Sequence, residues 1–183
     1  KSKQLKMKKL LLIVAVLFVA TTSFAQDWSV GGRVGSGFQV VGQYKYDGSN
    51  YVEARFGTSW NNPVVTTVLA DQSDVSLHQG RVMADFTILH NWHILDMDWT
   101  PRGSMWFFDA GVGVNVGGVA HYAYAGISGM ARLGFTFNNT PITLALDWTP
   151  TFGAGVLYVK KYNEAFFNEL GLANIGISCT YNF

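Results

Sequence analysis

The chain has 183 residues, with 13 Lys and Arg against 12 Asp and Glu, and charged residues form only 14% of it, against about 25% in an ordinary soluble domain. Aromatic residues reach 15%, mean hydropathy is +0.15, and Cys179 is the only cysteine, which excludes an internal disulfide. The length suits a single domain, and the near-zero net charge of +1 offers no field to draw nucleic acid.

The first segment in chain order is a targeting signal. Lys6, Lys8 and Lys9 precede an apolar run from Leu10 to Ala20, followed by Thr21-Thr22-Ser23-Phe24-Ala25. A basic stretch, an apolar run of about 7–15 residues and small residues before a break describe a secretory signal peptide, whereas a spanning helix wants about 20 apolar residues. Residues 1–25 are therefore expected to be a signal peptide with upstream residues, Met7 being the start and Ala25 the last residue removed. No cysteine follows the run, which argues against a lipid anchor. The segment holds five lysines and no acid, so eight basic groups remain against twelve acidic ones, a net of −4. The basic balance belongs to targeting, and no nucleic-acid partner is expected.

Residues 26–183 contain no second long apolar run. A chain this apolar without a spanning helix either hides its apolar side chains in a core or presents them to lipid in alternation. Apolar and polar residues do alternate along this region, broken at regular intervals by turn residues. Trp28 to Gly35 sets Trp28, Val30 and Val34 against Arg33. Phe38 to Tyr46 sets Phe38, Val40, Tyr44 and Tyr46 against Gln39, Gln43 and Lys45, the two strands parting at Gly35-Ser36-Gly37. Asp47-Gly48-Ser49-Asn50 is a tight turn whose Asp-Gly pair suits positive φ. Tyr51 to Trp60 opposes Val52, Ala54, Phe56 and Trp60 to Glu53, Arg55 and Ser59, and residues 61–78 read as a longer polar loop.

Gln79 to His93 alternates Val82, Ala84, Phe86, Ile88 and Trp92 with Arg81, Asp85 and Thr87. After a turn at 99–104, Met105 to Val116 sets Trp106, Phe108, Ala110, Val112 and Val114 against Asp109 and Asn115. A loop over 117–126 leads to Ile127–Phe137, with Arg132 on the polar face, and Asn138-Asn139-Thr140-Pro141 turns into Ile142–Gly153, with Asp147 on the polar face. A loop at 154–168 precedes the last strand, which begins near Glu169 and ends on alternating Ile175, Ile177, Cys179, Tyr181 and Phe183. Eight strands result. The even count puts both termini at one end, with the short turns (47–50, 99–104, 138–141) beside them and the longer connections (61–78, 117–126, 154–168) opposite.

The period alone does not say which face is inside, since a soluble lipid-binding barrel alternates in the same way. No charge falls on the apolar face of any of these strands, and a basic residue there would cost about 2–4 kcal/mol at a bilayer midplane. Aromatic residues gather near strand ends as in an interfacial girdle: Trp28, Tyr46, Trp92, Trp106, Phe137, Tyr181 and Phe183 at the turn end, Trp60 at the other. The polar face carries Arg33, Arg55, Arg81 and Arg132 with Glu53, Asp85, Asp109 and Asp147. Four charges of each sign are expected to fill a narrow lumen as salt bridges linking neighbouring strands, because an unpaired buried charge is prohibitive. A polar pore or proton path is the alternative, although an eight-stranded barrel is just wide enough for side chains to fill.

The stretch Trp28–Gly57, with Gly31-Gly32-Arg33-Val34-Gly35, Tyr44-Lys45-Tyr46 and Tyr51-Val52-Glu53-Ala54-Arg55-Phe56-Gly57, resembles the opening of the small outer-membrane barrel (porin-like) family. Together with the strand ending at Phe183, it resembles the OmpX type and the OmpA membrane domain. The resemblance implies an all-β fold, an eight-stranded antiparallel up-and-down transmembrane barrel in the outer membrane of a two-membrane bacterium. It also implies outer-membrane lipids as partners and recognition of the final strand by the barrel-assembly machinery. Members of the family differ in activity, so no functional residue carries over to this chain.

No motif points to catalysis, a cofactor or a metal: HExxH, CxxC, acidic calcium loops and phosphate-binding glycine spacings are all absent. His78 and His121 fall in the long connections with Ser76 and Ser128 near them in sequence, the one arrangement from which a lipid-modifying or proteolytic site could be drawn. His90 and His93 fall on opposite strand faces and do not share a site. Tyr158, Lys160, Lys161, Tyr162, Phe166 and Phe167 form a mixed aromatic and basic segment, a candidate surface for an extracellular ligand or a cap on the barrel mouth. The expectation is a monomeric barrel with a structural or surface-interaction role, a lipid-modifying enzyme or a narrow solute channel being the alternatives.

Overall fold

A computed structural model of the chain describes residues 27–60, 66–68, 74–76, 82–99, 104–119, 122–159, 162–169 and 173–183, with the backbone alone at 66–68, 74–76, 122, 157–159 and 162–169. Every regular element among them is a strand. In chain order these are β1 (Trp28–Gly35), β2 (Gly37–Lys45), β3 (Asn50–Ser59), β4 (Thr66–Val68), β5 (Asp74–Ser76) and β6 (Met83–Met97). The second half of the chain adds β7 (Ser104–Val119), β8 (Tyr122–Phe137), β9 (Ile142–Trp148), β10 (Thr151–Val159), β11 (Tyr162–Glu169) and β12 (Ile175–Asn182). The residues expected to form the signal peptide lie outside the described residues.

Each stave pairs antiparallel with its chain neighbours, and the last closes on the first, from Ser29 opposite Asn182 to Gly35 opposite Gly176. β9 and β10 make one stave. Both pair with β8, Trp148 lying opposite Ala131 and Thr151 opposite Ser128. Pro150 interrupts them because it has no N–H to give the ladder, yet its carbonyl still accepts from the Gly129 amide at 2.9 Å. β11 pairs with β10 and β12 with β9, so these two form the eighth stave. The result is a closed eight-stranded antiparallel up-and-down barrel.

Two connections read as loops are strands. Residues 117–119 continue β7 and 122–126 open β8, with Val119 opposite Tyr122, and residues 154–159 and 162–168 belong to β10 and β11, with Val159 opposite Tyr162. Gly117, Gly118, Ala120 and Ala123 give no contrast between faces, and 154–159 is apolar throughout, so the period-2 signal vanishes while the backbone ladder persists. Part of the 61–78 connection pairs as β4 with β5. Because β1 and β2 turn over at Ser36, the β7–β8 and β10–β11 hairpins rise beyond them as a projecting sheet. Among the described residues, β11 is paired on one side only.

The polarity of the two walls is inverted relative to a water-soluble barrel. Among the described residues, thirty large apolar side chains are exposed, including Phe38 (57%), Phe56 (64%), Ile127 (64%) and Ile177 (61%), while only seven apolar residues are buried. Twenty polar or charged residues are buried instead. Along β12 the alternation is explicit: Ile175, Ile177, Cys179 and Tyr181 face out, and Gly176, Ser178 and Thr180 face in. A one-residue slip in register would exchange the two sets, so this contrast also fixes the register.

Candidate functional site

The interior is built from every second residue of the staves. Arg33, Glu53, Arg55, Asp85, Asp109, Arg132 and Asp147 are all buried there, and Arg81 lies outside the described residues. The shortest bridges do not link neighbouring staves. Arg132 on β8 reaches Glu53 on β3 across the lumen, its Nη2 lying 2.7 Å from Oε2. Arg33 Nε on β1 donates to Asp147 Oδ1 on β9 at 2.7 Å, and Arg55 Nη1 on β3 approaches the same oxygen at 3.3 Å. Arg55 Nε also donates to Glu53, two residues away on its own strand. Register partners behave differently: Arg132 is opposite both Asp109 and Asp147, yet its guanidinium stands 3.9 Å from Asp147 and reaches Asp109 only through Tyr51. The expectation of bridges between adjacent strands is thus corrected in part: the short arginine bridges cross the lumen, while the longer Arg132–Asp147 pair joins adjacent staves. Arginine side chains are long enough to cross so narrow a lumen, where they meet carboxylates with free lone pairs.

Neutral groups extend the network, while Arg55 Nη2, Arg132 Nε and Asp147 Oδ2 are buried without a hydrogen-bond partner among the described residues. Gln43 donates to Glu53 at 2.6 Å, Arg55 Nη1 to Thr149 at 3.0 Å, and Arg33 Nη1 to Gln39 at 3.3 Å. Asp85 anchors a second cluster towards the projecting sheet, accepting from Gln39, Asn115, Thr87 and the Tyr124 hydroxyl. Gln39, Gln43 and Asn115 are read on the polar face without a part in the charge network, and Tyr51 and Tyr124 carry no such reading. Their strand parity alone assigns Tyr51, Gln39, Gln43 and Asn115 to the polar face, the only signal that could have found them. The hydrogen-bonded chain passes repeatedly through guanidinium groups, which do not release protons in the accessible range, and it ties several staves together.

Towards the turn end the filling stops. A cavity of about 440 Å³ opens there, floored by Arg132, Asp109 and Tyr51. Tyr51 donates its hydroxyl proton to Asp109 Oδ2 at 2.6 Å and accepts from Arg132 Nη1 at 2.8 Å. His93 stands on the wall with Nδ1 2.9 Å from Asp109 Oδ1 and Nε2 3.2 Å from Asp96 Oδ1. In a regular strand residues three apart point to opposite faces. A bulge between His93 and Leu95 adds the residue that turns His93 and Asp96 to the same side. His90, on the outer wall, instead meets the Tyr46 hydroxyl at 3.1 Å and the edge of Trp92.

The girdle aromatics form local pairs on the outer wall. Trp28 packs on Tyr44 (4.8 Å between ring centroids), Trp106 on Phe135 (5.0 Å) and Trp99 (5.8 Å), and Tyr181 on Phe183 (5.1 Å). Phe137 meets Phe135 edge-on at 4.8 Å, and Trp60 stands apart at the opposite rim, its amide donating to the Ser36 carbonyl. Such pairs contribute about 0.5–1.5 kcal/mol each beyond burial. Trp99, 62% exposed, joins this belt although its place in a turn gives no sign of it. Tyr158, Tyr162, Phe166 and Phe167 belong to β10 and β11 by backbone, and Lys160 and Lys161 lie outside the described residues. So do His78 and His121, while Ser128 is buried and shares a hydrogen bond with Thr151 at 2.7 Å. Among the described residues no cluster of His, Cys, Asp or Glu is arranged to hold a metal ion.

Fold and interior together define a class: a closed eight-stranded barrel with an apolar outer wall, a cross-braced charged lumen and a cavity at the turn end. No protein-family model, curated protein or solved structure matches the chain.

Proposed function

We propose that the chain is an integral outer-membrane β-barrel protein with a structural or surface-interaction role carried by the connections opposite the short turns. The observation that carries this reading is the inverted polarity of the walls. A surface bearing Phe56, Ile127, Ile177 and their neighbours would drive association in water, while hydrocarbon accepts it and the pairing of β1 with β12 closes the ladder around the apolar belt. The aromatic belt at the turn end supports the same placement, since Trp and Tyr favour the headgroup level. Membrane fractionation with heat-dependent gel mobility tests it: the protein is expected in the outer-membrane fraction with a faster-migrating unheated form. A soluble or heat-insensitive product would overturn the reading.

The projecting β7–β8 and β10–β11 hairpins favour the surface-interaction role, because they present backbone beyond the barrel rim and, among the described residues, one side of β11 is unpaired. The braced lumen supports a filled interior. Planar-bilayer recordings are expected to show no steady conductance, and incubation with purified outer-membrane lipids no altered lipid. Steady conductance would favour the channel alternative, and a modified lipid the enzyme.

A further inference from the structure

We infer that the turn-end cavity is a binding site for a small, net-neutral polyhydroxyl ligand of about one or two sugar rings, held between the Phe107 ring, the hydroxyl wall of β9 and β12, and the His93–Asp96 pair. The cavity volume of about 440 Å³ lies within the range in which pockets enclose small molecules. It is an interior site, so the inference stands apart from the loop-borne role proposed above and would hold equally for a barrel in any environment.

Two features show that the walls are built. The bulge after His93 re-aims Asp96 into the cavity, where a regular strand would direct it outward. On the facing stave, residue 134 is glycine, and a Cβ there would lie 2.0 Å from the Phe107 ring tip. The absent side chain gives the ring its resting place on β8, leaving it half-buried in the cavity wall. An aromatic surface and a re-aimed carboxylate are thus set on neighbouring staves.

The lining determines the ligand chemistry. Ser178 and Thr180 supply short donors and acceptors on one side, beside Thr143 and Asn182, which hydrogen-bond each other at 3.0 Å, and Phe107 and Met105 supply apolar surface on the other. The charged groups facing the space are Lys45 and Arg132 against Asp96 and Asp109, with His93 between the two carboxylates. Arg132 is paired with Glu53, Asp109 is held by His93, and the two share the Tyr51 hydroxyl, so each charge is offset within the wall and neither a free phosphate nor a free cation is favoured. A sugar ring fits this division, since its C–H face suits an aromatic surface and its hydroxyl rim suits threonine, serine, asparagine and a carboxylate.

The test uses the full chain folded in micelles of a detergent without a sugar head. Amide NMR spectra are followed during titration with maltose and with N-acetylglucosamine, glycerol and inorganic phosphate serving as controls. Saturable shifts at His93, Phe107 and Thr180 with at least one sugar are expected, and none with either control. Phe107→Leu, which keeps apolar volume but removes the ring, is expected to weaken binding by about tenfold or more, and Thr180→Val by a few-fold. Both variants should keep the heat-dependent gel shift, and a variant that loses it is replaced in the comparison by the other. Unshifted amides with both sugars, equal shifts with glycerol, competition by phosphate, or unchanged binding in the folded variants would each overturn the inference.

Discussion

The middle of the lumen and its turn-end cavity are lined by the same staves at the same strand parity, yet one is packed with ion pairs and the other is open. The difference lies in side-chain length. In the middle, Arg33, Arg55 and Arg132 span the bore and are met by Glu53 and Asp147. At the turn end the staves β9 and β12 present Thr143, Ala145, Ser178 and Thr180, too short to span the bore. An eight-stranded barrel has almost no spare interior, so whether a segment is brace or cavity is decided by a few long or short residues and not by strand number. The brace holds β1, β3, β8 and β9 together. The cavity leaves room for a guest.

The sharpest way to break this contrast is to remove the hub of the brace. Glu53→Ala takes a carboxylate from Arg132, Arg55 and Gln43 at once, and the first two are buried guanidinium groups. Losing one partner of a buried pair costs about 3–5 kcal/mol, so urea unfolding in micelles is expected to shift strongly to lower denaturant. Replacing Glu53 and Arg55 together by Met should recover part of that loss, because the stranded charge is removed with its partner. A double variant as unstable as Glu53→Ala would show that the brace acts through geometry and not through charge compensation.

The same enlargement placed in the two regions sharpens the comparison next. Ser128 is buried beside Thr151 in the filled part, and Ser128→Leu is expected to cost about 1–3 kcal/mol by overpacking and by leaving the Thr151 hydroxyl unpaired. Thr180 lines the cavity, and Thr180→Leu should fall within about 0.5 kcal/mol of the parent. Equal destabilisation in the two variants would mean that the turn end is as tightly packed as the middle. Gly134→Ala is expected to be milder in stability but visible in spectra, since the new methyl must move the Phe107 ring tip.

Much of this arrangement was legible in the sequence because period-2 polarity and strand pairing are local. Arg33, Glu53, Arg55, Asp85, Asp109, Arg132 and Asp147 are assigned to one face by parity alone, and the closing turns at 47–50 and 138–141 by their residue chemistry. Which arginine meets which carboxylate was not legible. Arg132 pairs with Glu53 across the bore, a relation set by barrel closure and stagger, which no pair of neighbouring strands encodes. The cavity was hidden for two reasons. A bulge changes the parity of Asp96 without any glycine or proline to announce it, and the absence of long side chains at Ala145, Ser178 and Thr180 reads as ordinary small residues. The extensions of β7, β8, β10 and β11 beyond the apolar belt were hidden because nothing there requires the two faces to differ.

The smallest effect concerns the rim of the cavity, where the β2–β3 turn contributes Gly48 and Ser49 to the lining. Gly48 has φ +77°, which favours glycine, and Asp47 fastens the turn by accepting the Asn50 amide at 2.6 Å and the Ser49 amide at 3.2 Å. These donors, the Asn50 backbone amide foremost, hold the Asp47 carboxyl below its ordinary range. Linkage sets the sign: a group whose value is lower in the folded state than in the unfolded one adds stability above the unfolded value and loses it as pH falls through the folded one. The difference in unfolding midpoint between the parent and Asp47→Ala is therefore expected to be small and constant above about pH 4, and to shrink as pH drops further. Because the carboxylate is fully exposed, solvent screens it, and the effect should also diminish with added salt. A difference that grows on acidification would mean that the turn is held by something other than the ionised Asp47. In that case the rim, unlike the brace, would owe its shape to backbone geometry alone.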